Sequence, residues 1–267
     1  MATKKITSLE VAKLAGVSQS AVSRVFTPGA SASKKTGEKV RKAAMELGYR
    51  PNVLARSLIT GRSRIIGLVV ANLDNYFYPE ALELISNALQ KKGYHVLVFM
   101  VAKTAGSIDD VVDEILDYQV DGIILASVAM SSSLASRCTS AGVPVILFNR
   151  SQDDDSFSAI TSDNILGGQK VARFLIAGGH KRIGYIAGWE GASTQRDRET
   201  GFVEELKQHG MSLHAREVGN FIQDEARQAA RKMFTANEIP DAVFVASDHM
   251  AFAVMDVLRT EIGLKIP

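Results

Sequence analysis

Apolar residues recur at helical spacing in three short segments near the start of the chain. The first two segments, within residues 7–26, predict two short helices joined by a tight turn. A third helix is predicted from about residue 33 or 34 to Leu47, and Gly48 can end it. The residues expected on the inner faces are Leu9, Ala12 and Ala15, then Ala21, Val22 and Val25, then Val40, Ala43, Ala44 and Leu47.

Local capping signals fix where the first two helices begin. Thr7 can cap the first helix, and Glu10, three residues later, can complete a capping box. Gly16 ends this helix and Ser18 can cap the next. This arrangement is typical of a helix-turn-helix, whose second helix enters the major groove of DNA. The polar residues left to face outward from that helix are Gln19, Ser20, Ser23 and Arg24.

From Ile65 onward the pattern changes to apolar runs alternating with amphipathic segments. Strands are predicted over residues 65–71, 94–100, 122–126, 144–148, 158–161, 182–187, 216–219 and 242–246. Helices are predicted near residues 79–92, 107–118, 164–177, 194–209, 223–236 and 249–259. Such alternation predicts an α/β region of two doubly wound parallel-sheet layers, which would face each other across a cleft at the carboxyl ends of their strands.

Breaks in the pattern predict four regions. They are a small all-α helix-turn-helix head over 1–48, a hinge helix and linker over 49–63, a first α/β subdomain over 64–162 and a second over 163–267. Pro51 stops regular structure, residues 52–58 can form one or two helical turns, and residues 60–63 are typical of a linker.

Charge divides the chain in the same place. Residues 1–64 hold thirteen Lys or Arg and three acids, a net charge of +10, and the remainder holds 18 basic and 26 acidic residues, a net charge of −8. Taken alone, a basic stretch favours a lysine-rich solvated surface. Beside a helix-turn-helix it favours a polyanionic partner that contacts only the head.

The sequence offers little support for catalysis or for a membrane. Cys138 is the single cysteine and is expected to be a small buried residue, so no internal disulfide and no metal site are predicted. No glycine-rich phosphate or dinucleotide motif follows the strand at 65–71, and no secretory signal or membrane span is recognisable. We expect a cytoplasmic protein with no catalytic residues and no cofactor. A cleft-binding protein without DNA activity and an enzyme are the alternatives.

Several segments together resemble the lactose-repressor/galactose-repressor (LacI/GalR) family of bacterial transcriptional regulators. The resemblance is dense over residues 6–58, where it includes Ala15-Gly16-Val17-Ser18, Val22-Ser23-Arg24-Val25 and Leu47-Gly48-Tyr49-Arg50-Pro51-Asn52. It continues more loosely to the end of the chain. It implies a homodimer that binds double-stranded operator DNA and a small sugar-like effector, with an effector region similar in fold to periplasmic sugar-binding proteins.

The resemblance also implies roles for residues of the head. Gln19 and Arg24 would read base edges, since Gln pairs with adenine and Arg with guanine. Ser20 would make a phosphate contact or a weak base contact. The phosphate candidates are Thr7, Ser18, Ser23 and Ser33, of which Ser18 and Ser33 could equally be helix caps. The hinge residues Asn52, Ala55 and Leu58 would enter the minor groove, with Leu58 as the wedge. Leu58 could also be an ordinary linker residue.

In the α/β region the resemblance implies an effector site built from two charges of each sign and several aromatic rings. Its predicted members are Tyr76, Phe77, Arg150, Asp163, Arg198, Phe221 and Asp248. Arginine opposite aspartate can hold vicinal hydroxyls, and an aromatic face can cover a sugar ring. Arg198 could instead belong to a solvated helix start, and Asp248 could cap the helix that it precedes. The effector class stays open among a sugar, a sugar acid and a related polyol.

Relatives of this family continue beyond the position where the present sequence ends. The resemblance therefore predicts that this chain is C-terminally truncated and its second α/β layer incomplete: either the sequence is a fragment, or the protein has lost that region. We expect that layer to be less stable, and dimerisation weaker, than in a full-length relative.

Overall fold

The computed structural model describes residues 6–27, 29–51, 61–71, 73–101, 108–127, 132–152 and 157–266. The protein forms two compact units, Met1–Arg64 and Ile65–Pro267. The predicted hinge residues Asn52, Ala55 and Leu58 lie outside the described residues, and their roles stay predictions.

The described residues of the first unit form three helices. They are α1 (Ser8–Ala15), α2 (Gln19–Phe26) and α3 (Lys34–Leu47). Val11, Val22 and Val40 are fully buried where the helices meet. The prediction that Leu9 faces inward is wrong, because its side chain is 49% exposed. At 100° per residue, the inner face of this short helix is centred on Val11 and Ala15, and Leu9 lies away from it.

The second unit begins with a parallel sheet of order β2-β1-β3-β4-β5, which has five strands among the residues that the structure describes. Its strands are β1 (Ile65–Val70), β2 (His95–Met100), β3 (Gly122–Ala126), β4 (Val145–Phe148) and β5 (Ser158–Ile160), and its helices are α4 (Phe77–Lys91), α5 (Ile108–Asp117) and α6 (Ser132–Ser140). The sequence pattern did not predict α6, which is rich in serine and therefore weak in helix propensity. Cys138, buried as predicted, attaches α6 to the sheet core.

A second parallel sheet follows, of three strands within the described residues and of order β7-β6-β8. It comprises β6 (Ile183–Ala187), β7 (Ala215–Val218) and β8 (Ala242–Val245), with α7 (Asn164–Ala177), α8 (Ser193–Gln208), α9 (Gln223–Phe234) and α10 (Asp248–Thr260). Tyr185 and Phe202 are fully buried in its core, with ring centroids 5.8 Å apart. The predicted α/β architecture of two parallel layers is confirmed.

Helices α7 and α8 cross at glycines. A Cβ on Gly168 would stand 2.2 Å from the carbonyl oxygen of Arg198, and a Cβ on Gly201 would stand 2.0 Å from that of Ile165. Only glycine allows two backbones to come this close. The crossing brings Asn164, at the start of α7, beside Arg198 on α8.

Among the described residues, no helix combines the length and apolar character needed to span a bilayer.

Candidate functional site

Helix α2 begins immediately after a sharp change of direction in the backbone. Gly16 takes the left-handed conformation that ends α1, with φ of 65°. The Ser18 hydroxyl then accepts a hydrogen bond from the amide N–H of Ala21, 3.2 Å away, and so caps α2. Val22 faces the core and is fully buried. The opposite face of α2 is therefore turned to solvent.

The four polar residues predicted to face outward are all exposed: Gln19, Ser20, Ser23 and Arg24. The Gln19 side-chain amide donates to Ser8 Oγ at 2.9 Å, and Arg24 Nε donates to the Ser20 carbonyl oxygen at 3.4 Å. These contacts are weak or exposed, so neither end group is buried in the protein. Gln19 and Arg24 can therefore exchange these contacts for base edges in a major groove.

The serine and threonine caps of the head are observed directly. Thr7 and Glu10 form the predicted capping box, in which the Thr7 amide N–H donates to Glu10 Oε2 at 2.7 Å. Ser33 Oγ accepts from the amide N–H of Thr36 at 3.1 Å. Because Ser18 and Ser33 both cap helices, the capping alternative is confirmed for each. A phosphate contact by either residue stays a prediction.

A strongly basic surface surrounds these helices. Every described Lys and Arg of the first unit is exposed: Lys13, Arg24, Lys34, Lys35, Lys39, Arg41, Lys42, Arg50, Arg62 and Arg64. The positive charge of these described residues thus lies on the surface, where it can meet a polyanion.

In the second unit, Arg150 links the two sheets near the carboxyl ends of their strands. It follows β4, and its residue surface is only 8% exposed. Its Nη1 donates to the Thr194 hydroxyl on α8 at 2.6 Å, and its Nη2 donates to the Ser127 hydroxyl after β3 at 3.2 Å. A second bond joins the layers, from the Ser151 amide N–H to Ser193 Oγ at 2.9 Å.

Arg198 is held differently, within the second layer. Its Nε donates to Asn164 Oδ1 at 2.9 Å and its Nη1 to the Ala246 carbonyl oxygen at 2.5 Å. Burial lowers the pKa of its guanidinium from the ordinary value, whereas the nearby carboxylates of Asp248 and Asp197 act in the opposite direction. The alternative that Arg198 belongs to a solvated helix start is therefore wrong.

Asp248 is the first residue of α10 and is exposed. It does not cap that helix, because the cap is Ser247, whose hydroxyl accepts from the Met250 amide N–H at 3.4 Å. The capping alternative for Asp248 is thus wrong. Its carboxylate lies close enough to Arg198 to favour the charged guanidinium.

Phe221 lies between Arg150 and the loop after β6. Its ring centroid is 5.9 Å from Arg150 Cζ, within the range of a cation–π contact. Asn220 and Phe221 both have left-handed backbone conformations, with φ of 50° and 58°. Consecutive non-glycine residues in this region are strained, which is typical of functional sites.

The remaining predicted members lie at the edges of this cluster. Phe77, at the start of α4, stacks on Phe148 at a centroid distance of 5.8 Å, whereas its neighbour Tyr76 is 77% exposed. Asp163 caps α7 by accepting from the Leu166 amide N–H at 2.9 Å, and it forms no ion pair with a described arginine. The structure brings together Arg150, Arg198, Phe221 and Asp248; it does not place Tyr76 or Asp163 among them.

Sequence reasoning missed the hydroxyl and amide partners of the two arginines. These are Ser127, Thr194 and Asn164, of which the last two are almost completely buried. Ser193, which accepts from the Ser151 amide N–H, was missed as well. The position of these residues in the sequence is the one signal that could have identified them. Each follows a strand, at the end of the sheet where ligands of open α/β folds bind.

Two family models match the sequence. "Bacterial regulatory proteins, lacI family" covers residues 7–52, and "Periplasmic binding proteins and sugar binding domain of LacI family" covers residues 63–267. The transcriptional repressor PurR of Vibrio vulnificus is 30% identical over 97% of this chain and 78% of its own length. The transcriptional regulator CelR of Thermobifida fusca is 32% identical over 96% of this chain and 78% of its own length.

Solved structures of transcriptional regulators are similar to this chain as well. The lac repressor dimer bound to operator and the anti-inducer ONPF has a TM-score of 0.86 at 28% identity, over 98% of this chain and 80% of that one. A complex of the regulator CelR with cellobiose has a TM-score of 0.69 at 31% identity, with the same coverage.

Proposed function

The chain belongs to the LacI family of bacterial regulatory proteins, and from this premise we propose that it is a homodimeric repressor of transcription whose affinity for operator DNA is set by a sugar-like effector. The proposed division of labour follows the predicted regions. Residues 1–48 read DNA, 49–63 form the hinge, and 64–162 and 163–267 hold the effector between them. We place its action in the cytoplasm, where the DNA is, and assign it no catalytic activity.

The single observation that carries the DNA half of the proposal is helix α2. It is capped by Ser18, packed through Val22 and exposed at Gln19 and Arg24, on a unit whose described basic residues are all on the surface. We assign base contacts to Gln19 and Arg24, and backbone or weaker contacts to Thr7, Ser18, Ser20, Ser23 and Ser33. Phosphate contacts give affinity, whereas base contacts give specificity.

The effector half rests on the cluster that joins the two α/β layers. Arg150 and Ser151 belong to the first layer, and their hydrogen-bond partners Thr194 and Ser193 belong to the second. An effector that replaces or strengthens these bonds changes how the layers close. If the free and the DNA-bound dimer differ in layer closure, they bind the effector with different affinities. By thermodynamic linkage, the effector then changes the affinity for DNA by the same factor.

Fluorescence anisotropy tests both halves. A labelled operator, selected from a random-sequence duplex library by the full-length protein, should bind at least about a thousandfold more tightly than scrambled duplex. Raising the salt concentration from 50 to 200 mM should weaken binding by about 10³-fold or more, since many phosphates are neutralised at once. Sugars, sugar acids and polyols are then added singly at constant salt.

Binding without sequence preference would reject the proposal, as would a flat salt response. An operator affinity that no compound of these three classes alters would reject its effector half alone. Hydrolysis and hydride-transfer assays on bound compounds should give no product.

A further inference from the structure

Arg150 carries a charge that the protein does not neutralise within its described part. The residue is more than nine-tenths buried, yet its partners are the neutral hydroxyls of Thr194 and Ser127 and the ring of Phe221. Its Nε is buried without any hydrogen-bond partner. None of the ion pairs formed by the described residues includes Arg150.

The surroundings of Arg150 add further positive potential. Burial lowers the pKa of its guanidinium, the charges of Arg198 and Arg196 lower it further, and only Tyr78 acts in the opposite direction. Thr194 stands in the first turn of α8, a helix of 16 residues whose N-terminus has no side-chain cap and no acidic residue in its first turn. The positive end of the α8 dipole therefore adds to the charge of the guanidinium.

Burial also lowers the pKa of Arg198 in the same cluster, but Arg198 has carboxylates nearby. It bonds the Asn164 side-chain amide and the Ala246 carbonyl oxygen, and the carboxylates of Asp248 and Asp197 favour its charged form. No described carboxylate does this for Arg150. Burying a charge without a counter-charge costs free energy of folding. A protein can keep such a charge where a bound ligand supplies the counter-charge.

From the orphaned Nε of Arg150 and the uncapped start of α8, we infer that the effector carries an oxyanion, the carboxylate of a sugar acid or a phosphate group, and that this oxyanion binds at Arg150. The inference rests on the proposed function and narrows the effector class. A carboxylate can accept from two guanidinium nitrogens at once, and such charge-assisted pairs are about twice as strong as neutral hydrogen bonds. A neutral sugar would bring no counter-charge to Arg150.

Isothermal titration calorimetry on the full-length protein, without DNA, compares matched probes. The pairs are D-galacturonate with D-galactose, D-glucuronate with D-glucose, and D-gluconate with sorbitol; D-glucose 6-phosphate separates a phosphate from a carboxylate. We expect at least one anionic probe to bind about tenfold or more tightly than its neutral counterpart, as a charge-assisted hydrogen bond implies. Equal binding within every pair, preference for the neutral member, or no binding by any anionic probe overturns the inference.

Two variants test whether Arg150 supplies the charge that binds the anionic probe. Arg150→Gln should weaken the preferred anionic probe by about 10- to 150-fold, the value of hydrogen bonds to a charged group. Arg196→Gln, which removes a neighbouring exposed charge of α8, should weaken it less than about threefold. If Arg150→Gln does not fold, the preference within the wild-type pairs still decides.

The two hypotheses fail separately. Loss of sequence-specific DNA binding would reject the proposed function and leave anion binding measurable. A neutral sugar that binds best and alters operator affinity would keep the proposed function and overturn the anionic effector.

Discussion

The ring of Phe221 occupies the space that a side chain on residue 188 would need. A Cβ built on Gly188 would stand 2.1 Å from Cζ of Phe221, much closer than two non-bonded carbon atoms can approach. The same ring lies 5.9 Å from Arg150 Cζ. Gly188, which follows β6, thus allows Phe221 to reach the guanidinium.

Gly188→Ala should therefore displace Phe221 and weaken effector binding. A cation–π contact contributes about 0.5–2 kcal/mol, so we expect an affinity loss of about 2- to 30-fold. Calorimetric titration with whichever probe the wild type binds measures it. The loss should not add to that of Phe221→Ala in the double variant, because both changes remove the same contact.

A second glycine of the same loop provides the control. A Cβ on Gly191 would stand 2.3 Å from the ring of Trp189, the only tryptophan of the sequence. Gly191→Ala should change tryptophan fluorescence and leave effector affinity within about twofold of the wild type. Equal losses of affinity in the two alanine variants would contradict a specific role for Gly188.

Adjacent glycines on α7 give a sharper comparison of stability. A Cβ on Gly168 would meet the Arg198 backbone at 2.2 Å, whereas a Cβ on Gly167 would meet no atom within 4 Å. Gly168→Ala should force α7 and α8 apart at a cost of about 1–3 kcal/mol or more. Gly167→Ala should be neutral or stabilising by up to about 1 kcal/mol, since alanine is the better helix former.

Thermal unfolding checks this pair of substitutions. For a domain of this size, 1 kcal/mol corresponds to about 2–4 °C in Tm. The Gly168→Ala variant should melt at least a few degrees below the Gly167→Ala variant. Equal melting temperatures would mean that the helix crossing adjusts without cost.

Features set by neighbouring residues could be predicted from the sequence. The cap at Thr7 depends on Glu10, three positions away. Ser18 and Ser33 each stand directly before the first residue of the helix that they cap. The alternation after Ile65 likewise predicted both parallel sheets, because buried parallel strands are apolar runs.

Features set by contacts distant in sequence could not be predicted. The partner of Arg150 is Thr194, 44 residues away and in the other layer. Helix α6 forms although its serines favour other conformations, since Cys138 packs into the core. The sequence pattern wrongly places Leu9 inward, since a helix of eight residues contains too few turns to define its apolar face.

Arg24→Ala tests how DNA is read. Loss of a bidentate contact with a base should cost about 1–3 kcal/mol on the selected operator, which is about 5- to 150-fold in Kd, and should relax the preference at one base pair. Anisotropy with a set of operators that each carry one substituted base pair shows which preference is lost.

Two comparisons make this result specific. Lys13→Ala removes an exposed charge of α1 and should weaken all operators alike, as loss of a phosphate contact does. Lys207→Ala, on α8 of the second unit, should leave DNA binding unchanged. An Arg24→Ala variant that weakens every operator equally would assign Arg24 to the phosphate backbone.

Glu205 is a buried acid between α7 and α8. Its side chain is 3% exposed, Oε2 accepts from Arg173 Nη2 at 2.8 Å, and Oε1 lies 3.6 Å from Nδ1 of His209. The hydrogen bond from Arg173 lowers the pKa of the Glu205 carboxyl below its ordinary value of 4.5, against the opposing effect of burial.

The direction of this shift predicts how stability depends on pH. With a lowered pKa in the folded state, the unfolded protein binds more protons at acid pH, so the contribution of Glu205 is present above pH 4.5 and is lost as the pH falls through the folded-state pKa. Glu205→Gln should therefore unfold at lower urea concentration than the wild type at pH 7, and the difference should shrink toward pH 4. Glu204→Gln changes an exposed neighbour on the same helix and should match the wild type throughout. A difference that stays constant from pH 7 to pH 4 would assign the effect to packing instead of charge.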